Sequence, residues 1–148
     1  MMQLDNLYQE VILDHYKHPE NKGLSEQKDV QVHHVNLSCG DEITLNLTVH
    51  ENRIYDLSWD GNGCAISMAS VSMMSGLLKN KSLDEATLVL ESFLSLMQSK
   101  GTQSGDEHLL EDAVVFAGVS KYPSRIKCAL LGWMAFKDAS LQVQGKNQ

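Results

Sequence analysis

Four residues have side chains that together could build one site: the three cysteines, Cys39, Cys64 and Cys128, and Asp41, which follows Cys39 by two positions. The chain has no CxxC motif, because the shortest interval between cysteines is the 24 residues that separate Cys39 from Cys64. Three thiolates and one carboxylate are enough ligands for a tetrahedral zinc ion, and the same set could hold iron and sulfide. The spacing alone leaves a second interpretation open, in which the cysteines are unrelated core residues and Asp41 belongs to an ordinary turn.

Each cysteine is predicted to lie at the boundary of a secondary-structure element, where functional groups are commonly displayed. Cys39 falls in the turn between the first two strands, and Cys128 falls in the first turns of the last helix. Cys64 follows Gly61 and Gly63 at the point where the third strand passes into a helix, and a helix N-terminus favours a thiolate. The glycines let the backbone bend and leave room for a group to approach the sulfur.

Two further features concern how such a site would work. Arg125 precedes Cys128 by three residues, so on a helix both lie on one face, and a guanidinium there would favour the thiolate. Considered alone, Arg125 is most simply a solvated surface charge. Asp41 is the hardest ligand of the four, and we expect it to be released first in a site that must open periodically.

The elements that position these residues begin with a helix and three strands. Apolar residues recur at helical spacing over residues 4–16, and Pro19 with Gly23 ends this helix. A first strand is predicted over residues 30–37. A second follows over residues 43–49, where apolar and polar residues alternate, and a third, over residues 54–60, pairs back across a tight Glu51-Asn52 turn.

Helices make up the rest of the chain. The segment from Cys64 to Lys79 is small or apolar on nearly all sides and predicts a largely buried helix. Ser82 with Glu85 forms a capping box that opens a helix reaching about Met97. A short helix is predicted over residues 109–119, and Pro123 suits the first turn of the last helix. Because strands and helices are segregated, we predict an α+β fold, a small three-stranded antiparallel sheet covered on one face by several helices.

Length and charge narrow the possible functions. The 148 residues are expected to form a single domain, residues 1–148, and the net charge of -7 makes a general nucleic-acid binder improbable. No apolar run is long enough to span a membrane, and the first residues lack the features of a secretory signal. An odd number of cysteines argues against a disulfide framework, so we expect a cytoplasmic protein with free or metal-bound thiolates.

Four blocks of the sequence resemble, in the same order, the U-type (NifU/IscU-like) iron–sulfur cluster assembly proteins, most closely their SufU branch. Four ordered blocks are far more specific than any single motif, and they count strongly against the interpretation of isolated cysteines. The blocks are YQEVILDHYKHPENKG, SCGDEI, WDGNGCAISMASVSMM and YPSRIKCALLGWMAF.

The resemblance implies a function and a ligand set. Metal ligands are implied at Cys39, Asp41, Cys64 and Cys128, and in the SufU branch they resemble a zinc site. Cys39 matches the cysteine that accepts a persulfide sulfur from a pyridoxal-phosphate-dependent cysteine desulfurase, which makes the protein a sulfurtransferase-like partner of that enzyme and a supplier of downstream cluster assembly proteins. We expect Arg125 to assist Cys39 by pairing with Asp41 or with the attacking persulfide.

Differences from the IscU branch favour zinc over a cluster. That branch carries a Leu-Pro-Pro-Val-Lys segment and a histidine before its last cysteine; here the segment is residues 122–126, with the sequence YPSRI, and the histidine is replaced by Lys127. Lysine is a poor ligand while it is charged, so Lys127 is not expected to bind metal. Two alternatives remain: a scaffold on which an iron–sulfur cluster is assembled, and a protein whose zinc is only structural.

Overall fold

The computed structural model describes the backbone of residues 2–146 and the side chains of residues 8–145. In chain order the elements are α1 (Met2–Lys17), β1 (Val30–Asn36), β2 (Asp41–His50), β3 (Arg53–Asn62), α2 (Ala65–Leu78), α3 (Leu83–Gln98), α4 (Glu107–Leu110), a 3-10 helix (Glu111–Lys121) and α5 (Pro123–Lys146). Among residues 2–146, no helix is both long enough and apolar enough to cross a membrane.

The sheet is antiparallel, with the strand order β1-β2-β3. The β2–β3 hairpin turns through Glu51 and Asn52, whose φ angles of 51° and 63° are both positive, as a two-residue turn matching the twist of the strands requires. At the other end of β2, Asp41 pairs with Asn36 of β1 and Glu42 pairs with Asn62 of β3. This end of the sheet therefore brings the β1–β2 turn next to the end of β3.

The core lies between the sheet and the helices, and α5 packs against both β1 and β2. Trp59 of β3 and Trp133 of α5 are fully buried, and the Trp133 ring stacks on Phe93 at a centroid distance of 4.3 Å. The predicted fold class is confirmed. The stacked pair of Phe93 and Trp133 packs α3 against α5 through buried aromatic surface.

Close contacts fix α5 against α2. A Cβ atom at Gly132 of α5 would lie 2.7 Å from the Cβ of Val71 in α2, so only glycine allows this approach. The hydroxyl of Ser70 donates to the carbonyl of Ala129 at 2.6 Å and accepts from the indole nitrogen of Trp133 at 3.0 Å. Because α2 begins after Cys64 and α5 carries Cys128, this packing sets the distance between two of the candidate ligands.

Two helix predictions have different outcomes. The helix start predicted from the capping-box pattern is confirmed, since the Ser82 hydroxyl accepts from the backbone N–H of Glu85 at 3.1 Å at the start of α3. The Glu85 carboxylate accepts from the same hydroxyl, also at 3.1 Å. The short helix predicted over residues 109–119 is instead two pieces, α4 and a 3-10 helix. The break falls at Glu111, whose φ of 48° and ψ of -125° cannot continue an α-helix.

Candidate metal centre

The four candidate ligands come from four different parts of the fold and meet at one end of the sheet. Cys39 lies in the turn between β1 and β2, and Asp41 is the first residue of β2. Cys64 is the N-cap residue of α2, and Cys128 lies in the second turn of α5. The predicted positions of the three cysteines relative to the secondary structure are therefore confirmed, whereas Asp41 lies inside β2, which begins two residues earlier than predicted.

The side chains of these residues converge. The Sγ atoms of Cys39 and Cys128 lie 3.1 Å apart, and together with a carboxylate oxygen of Asp41 they form a group whose ligand atoms all lie within 4.8 Å of one another. Cys64 is not part of that compact triad but contacts it, because its Sγ lies 3.6 Å from Oδ2 of Asp41. The structure thus brings all four residues into one cluster, although 89 positions separate Cys39 from Cys128.

Asp41 is held firmly inside the protein. Its side chain belongs to a residue that is only 2% exposed, Oδ1 accepts the backbone N–H of Cys64 at 2.9 Å, and Oδ2 accepts the hydroxyl of the buried Ser67. Burial raises the pKa of Asp41, but the hydrogen bonds from Ser67 and from the Cys64 amide outweigh it and hold the pKa below its ordinary value. Asp41 is therefore an ionised carboxylate at the N-terminus of α2, where the helix dipole also favours an anion.

Gly63 makes room for this carboxylate. A Cβ atom at position 63 would lie 2.6 Å from Oδ1 of Asp41, closer than nonbonded atoms approach. From the sequence, the glycines near Cys64 were expected to leave room beside a sulfur. At Gly63, the space left by the missing side chain is occupied by the Asp41 carboxylate.

Cys39, in contrast, is exposed in a tight turn. The carbonyl oxygen of Asn36 accepts from the N–H groups of Cys39 and Gly40 at 3.3 and 2.9 Å, and Gly40 adopts a φ of 71°, which a glycine allows without strain. The side chain of Asn36 accepts from the N–H of Ser38 at 3.2 Å and donates through Nδ2 to the Sγ of Cys39 at 2.9 Å. One asparagine therefore shapes the turn and contacts its sulfur.

The pKa values of two cysteines are raised in the protein alone. Burial is the largest cause for Cys128, which is 1% exposed, and the neighbouring thiols of Cys39 and Cys64 raise its pKa further. Although Cys39 is exposed as a residue, loss of hydration around its sulfur, which lies against Cys128, is the largest cause of its raised pKa, and the negative charge of Asp41 adds to it. Both effects disfavour bare thiolates, and both are offset when a divalent cation shares the site, since a coordinating thiol is deprotonated by the metal.

The donor set fits a tetrahedral metal ion. Zinc bonds to thiolate at about 2.3 Å, so two sulfurs on one zinc lie roughly 3.8 Å apart. The Sγ atoms of Cys39 and Cys128, at 3.1 Å, would need to separate by less than about 1 Å, and the exposed turn that carries Cys39 is the part able to yield. Three sulfurs with one carboxylate equally suit iron bound with sulfide.

Arg125 is exposed at the start of α5, and it lies beside a cavity of about 480 Å³ between α1, the 3-10 helix and α5. Ile66 and Tyr122 also line this cavity, so Arg125 is close to the elements that carry Cys64 and Cys128. Among the side chains of residues 8–145, Arg125 has no carboxylate within 4.0 Å. Its pairing with Asp41 or with a persulfide stays a prediction.

Two residues of the site were not found from the sequence. Ser67 stands three residues after Cys64, in the first turn of α2, where a hydroxyl can reach a group at the helix start. Asn36 stands three residues before Cys39, and asparagine is a common turn residue. The spacing of three residues was thus a signal in both cases, but serine and asparagine are too frequent in such positions for it to be specific.

A small antiparallel sheet and a set of helices gather three cysteines and one aspartate at one end of the fold, an arrangement that suits a metal ion. The model of the NifU-like N terminal domain family matches residues 7–129, and the chain belongs to this family. The matched range includes all four candidate ligands.

Individual relatives agree with this assignment. The chain is 41% identical over 144 residues to the zinc-dependent sulfurtransferase SufU of Bacillus subtilis (strain 168), covering 97% of this chain and 96% of the relative. It is 39% identical over 140 residues to the iron–sulfur cluster assembly scaffold protein IscU of Streptococcus pyogenes serotype M1, covering 94% and 86%. The crystal structure of the protein FiSufU from Fervidobacterium islandicum AW-1 matches with a TM-score of 0.82 and 34% identity, covering 88% of this chain and 94% of that chain.

These similarities confirm the family resemblance and the fold predicted from the sequence. They include both sulfurtransferase and scaffold proteins of iron–sulfur cluster assembly, so the chain belongs to that assembly system at the level of the family.

Proposed function

We propose that this protein is a zinc-bound sulfur acceptor in cytoplasmic iron–sulfur cluster assembly, and that it takes persulfide sulfur from a pyridoxal-phosphate-dependent cysteine desulfurase through Cys39. The observation that carries the proposal is the contrast among the clustered thiols, since Cys39 is exposed, Cys64 is half-buried and Cys128 is buried. The relative named as a zinc-dependent sulfurtransferase, 41% identical over nearly the whole chain, supports it.

The residues that would hold zinc are Cys39, Asp41, Cys64 and Cys128. The metal would keep the thiols deprotonated at neutral pH, which the raised pKa values of Cys39 and Cys128 otherwise prevent. Asp41 is already ionised and fixed in place, so it would provide a ligand that requires no rearrangement.

The transfer step needs only thiol chemistry. The Cys39 thiolate attacks the outer sulfur of the desulfurase persulfide, the sulfur–sulfur bond of the donor breaks, and its electron pair returns to the desulfurase cysteine as a thiolate. One sulfur is transferred without net oxidation or reduction. Cys39 can be reached by such a donor because its turn is exposed, and Arg125 would stabilise the anionic sulfur group as it approaches.

A scaffold that assembles an iron–sulfur cluster and passes it to downstream proteins is the second candidate. The same ligands suit a cluster, and the Streptococcus pyogenes relative, 39% identical, bears a scaffold name. Metal analysis separates the two: protein purified without oxygen and without added metal should contain one zinc per chain and no iron. Stoichiometric iron with inorganic sulfide and a visible charge-transfer band would support the scaffold instead.

The sulfur-acceptor proposal is tested with a purified cysteine desulfurase. Alanine production is measured with the wild-type protein, with Cys39→Ser and with the exposed-site control Lys127→Ala, and mass spectrometry locates any added sulfur atom. We expect wild type and Lys127→Ala to stimulate the desulfurase and to carry the sulfur on Cys39, and Cys39→Ser to do neither. Full stimulation by Cys39→Ser, with sulfur on Cys64 or Cys128, would contradict the assignment.

A further inference from the structure

Asn36 gives Cys39 a contact that the other two cysteines lack. The Nδ2 group of Asn36 donates to the Sγ of Cys39 at 2.9 Å. The orientation of this amide is fixed by chemistry, because the backbone N–H of Ser38 can only donate, so the side-chain atom that faces it at 3.2 Å must be the oxygen. The nitrogen is therefore the atom that faces the sulfur.

The sulfurs of Cys64 and Cys128 have different neighbours. The Sγ of Cys64 lies 3.6 Å from the Asp41 carboxylate and 3.4 Å from the Ser67 hydroxyl, which itself donates to Asp41. The Sγ of Cys128 donates to the carbonyl oxygen of Ser124 at 3.7 Å. Within residues 8–145, only Cys39 accepts a hydrogen bond from nitrogen on its sulfur. Hydrogen bonds to an anionic acceptor are among the stronger ones, so this contact would stabilise a Cys39 thiolate that has left a metal.

The other candidate for a leaving ligand is Asp41, which chemical hardness alone favoured from the sequence. Its carboxylate oxygens are occupied by the Cys64 amide and the Ser67 hydroxyl, it is 2% exposed, and Gly63 packs directly against it. Moving Asp41 would break two buried hydrogen bonds, whereas moving Cys39 displaces an exposed turn that keeps its own hydrogen bonds to Asn36.

We propose that Asn36 is a positioning residue that makes Cys39 the ligand that leaves the metal, by holding its sulfur in the turn while it is off the zinc. The inference rests on the zinc centre of the proposed function, in which Cys39 is one of the ligands. The amide competes with the metal for the electron pairs of one sulfur only, which selects one thiolate from three chemically identical ligands.

The decisive variant is Asn36→Asp. Aspartate has the same shape and keeps an oxygen for the N–H of Ser38, so the turn is preserved, but it removes the donor to the sulfur. Asn62→Asp is the matched control: Asn62 is exposed at the end of the neighbouring strand β3, so it receives the same added charge near the site, and no contact between its side chain and Cys39 exists among the described residues.

The measurement is the rate at which a neutral alkylating agent, iodoacetamide, modifies Cys39 in the zinc-loaded and the metal-free full chain, with the site mapped by mass spectrometry. The rate in the zinc-loaded protein is divided by the rate in the metal-free protein. This ratio cancels any change in the intrinsic reactivity of the sulfur and reports how readily Cys39 leaves the zinc. We expect this ratio to fall by roughly tenfold in Asn36→Asp, the lower end of the effect of removing a hydrogen bond to a charged group. Asn62→Asp should keep the wild-type ratio.

Zinc release to a chelator gives a second readout that does not depend on activity, and Asn36→Asp should release zinc no faster than wild type. An unchanged alkylation ratio, or faster zinc release, would mean that Asn36 only shapes the turn, and it would overturn the inference. The desulfurase takes no part in this experiment, so the two proposals can fail separately. A wild-type protein that binds zinc but accepts no sulfur refutes the proposed function, and the alkylation ratio still tests the role of Asn36. A wild-type protein that binds no zinc overturns both.

Discussion

Gly63→Ala tests whether Asp41 must stay where it is for the site to hold a metal. The added Cβ would lie 2.6 Å from Oδ1, 2.8 Å from Cγ and 3.0 Å from Cβ of Asp41. Relieving the closest contact to an ordinary 3.4 Å requires a shift of about 0.8 Å. Because Asp41 is 2% exposed and hydrogen-bonded through both oxygens, such a shift cannot occur freely towards solvent.

The size of the effect follows from this shift. Bond lengths in a working metal site stay within about 0.2 Å of their preferred values, so a displacement of about 0.8 Å takes the Asp41 oxygen out of bonding range. We expect the zinc affinity to fall by roughly 10- to 100-fold, which corresponds to about 1.4 to 2.7 kcal/mol. The metal-free protein should also lose about 1–3 kcal/mol of stability, because the side chain overfills a packed region.

Zinc affinity is measured by competition with a chromophoric chelator, and the stability of the metal-free protein by urea unfolding. Gly118→Ala is the control, since Gly118 lies in the 3-10 helix and a Cβ there would have no atom within 4 Å. If Gly63→Ala binds zinc as tightly as Gly118→Ala while both proteins are folded, Asp41 is not a metal ligand and the proposed ligand set is wrong.

Three further predictions concern Lys127, Ser67 and the pair of His34 with Asp138. Lys127→Ala should leave the zinc content unchanged, because Lys127 is an exposed lysine, whereas Cys128→Ala should lose most of the zinc. Metal analysis that shows the same loss of zinc in both variants would contradict the ligand set. Ser67→Ala removes a donor to a buried carboxylate, so urea unfolding of the metal-free protein should show a loss of about 1–3 kcal/mol. The hydrogen bond from His34 holds the pKa of Asp138 below its ordinary value. Stability from this pair is therefore present above the ordinary carboxyl pKa and lost as the pH falls through the folded pKa. Asp138→Asn should lower the free energy of unfolding in urea by less than about 1 kcal/mol at pH 7, because the pair is partly exposed, and should not change it in strong acid. An equal loss at both pH values would refute the linkage.

Much of the fold could be predicted because its signals are local. Alternation over residues 43–49 defines β2, the Glu51-Asn52 pair defines the hairpin, and Ser82 with Glu85 marks the start of α3. Each of these patterns describes backbone geometry within one element or one turn, so no knowledge of the tertiary arrangement is needed.

The features that could not be predicted depend on more than one element or on backbone detail. An apolar pattern over residues 109–119 does not distinguish an α-helix from a 3-10 helix interrupted at Glu111. The role of Ser67 depends on β2 beginning, at Asp41, beside the first turn of α2, and Gly63 is required by a carboxylate that lies 22 residues earlier in the chain. The side-chain environment of Arg125 depends on how α1 and the 3-10 helix border the start of α5.

The clustering of the cysteines is an intermediate case. Intervals of 24 and 63 residues give no physical indication that the three cysteines lie close together. Their positions at element boundaries allowed one shared site but did not exclude three unrelated cysteines. The ordered family blocks favoured a shared site, and the convergence of the side chains in the structure agrees with it. Chemical hardness alone favours Asp41 as the ligand released first, but the burial of Asp41 and its hydrogen bonds to Cys64 and Ser67 oppose that order.

The site combines ligands anchored in the packed part of the fold with one ligand in an exposed turn. Asp41 and Cys64 are joined to each other through the start of α2, and Cys128 is buried on a helix that Gly132 locks against α2. Cys39 alone lies in an exposed turn with its own hydrogen bonds. A sulfur acceptor needs this asymmetry, because its reactive thiolate must reach a donor outside the protein while the remaining ligands keep their places. A purely structural zinc site has no use for it, since four equally buried ligands would hold the ion more firmly.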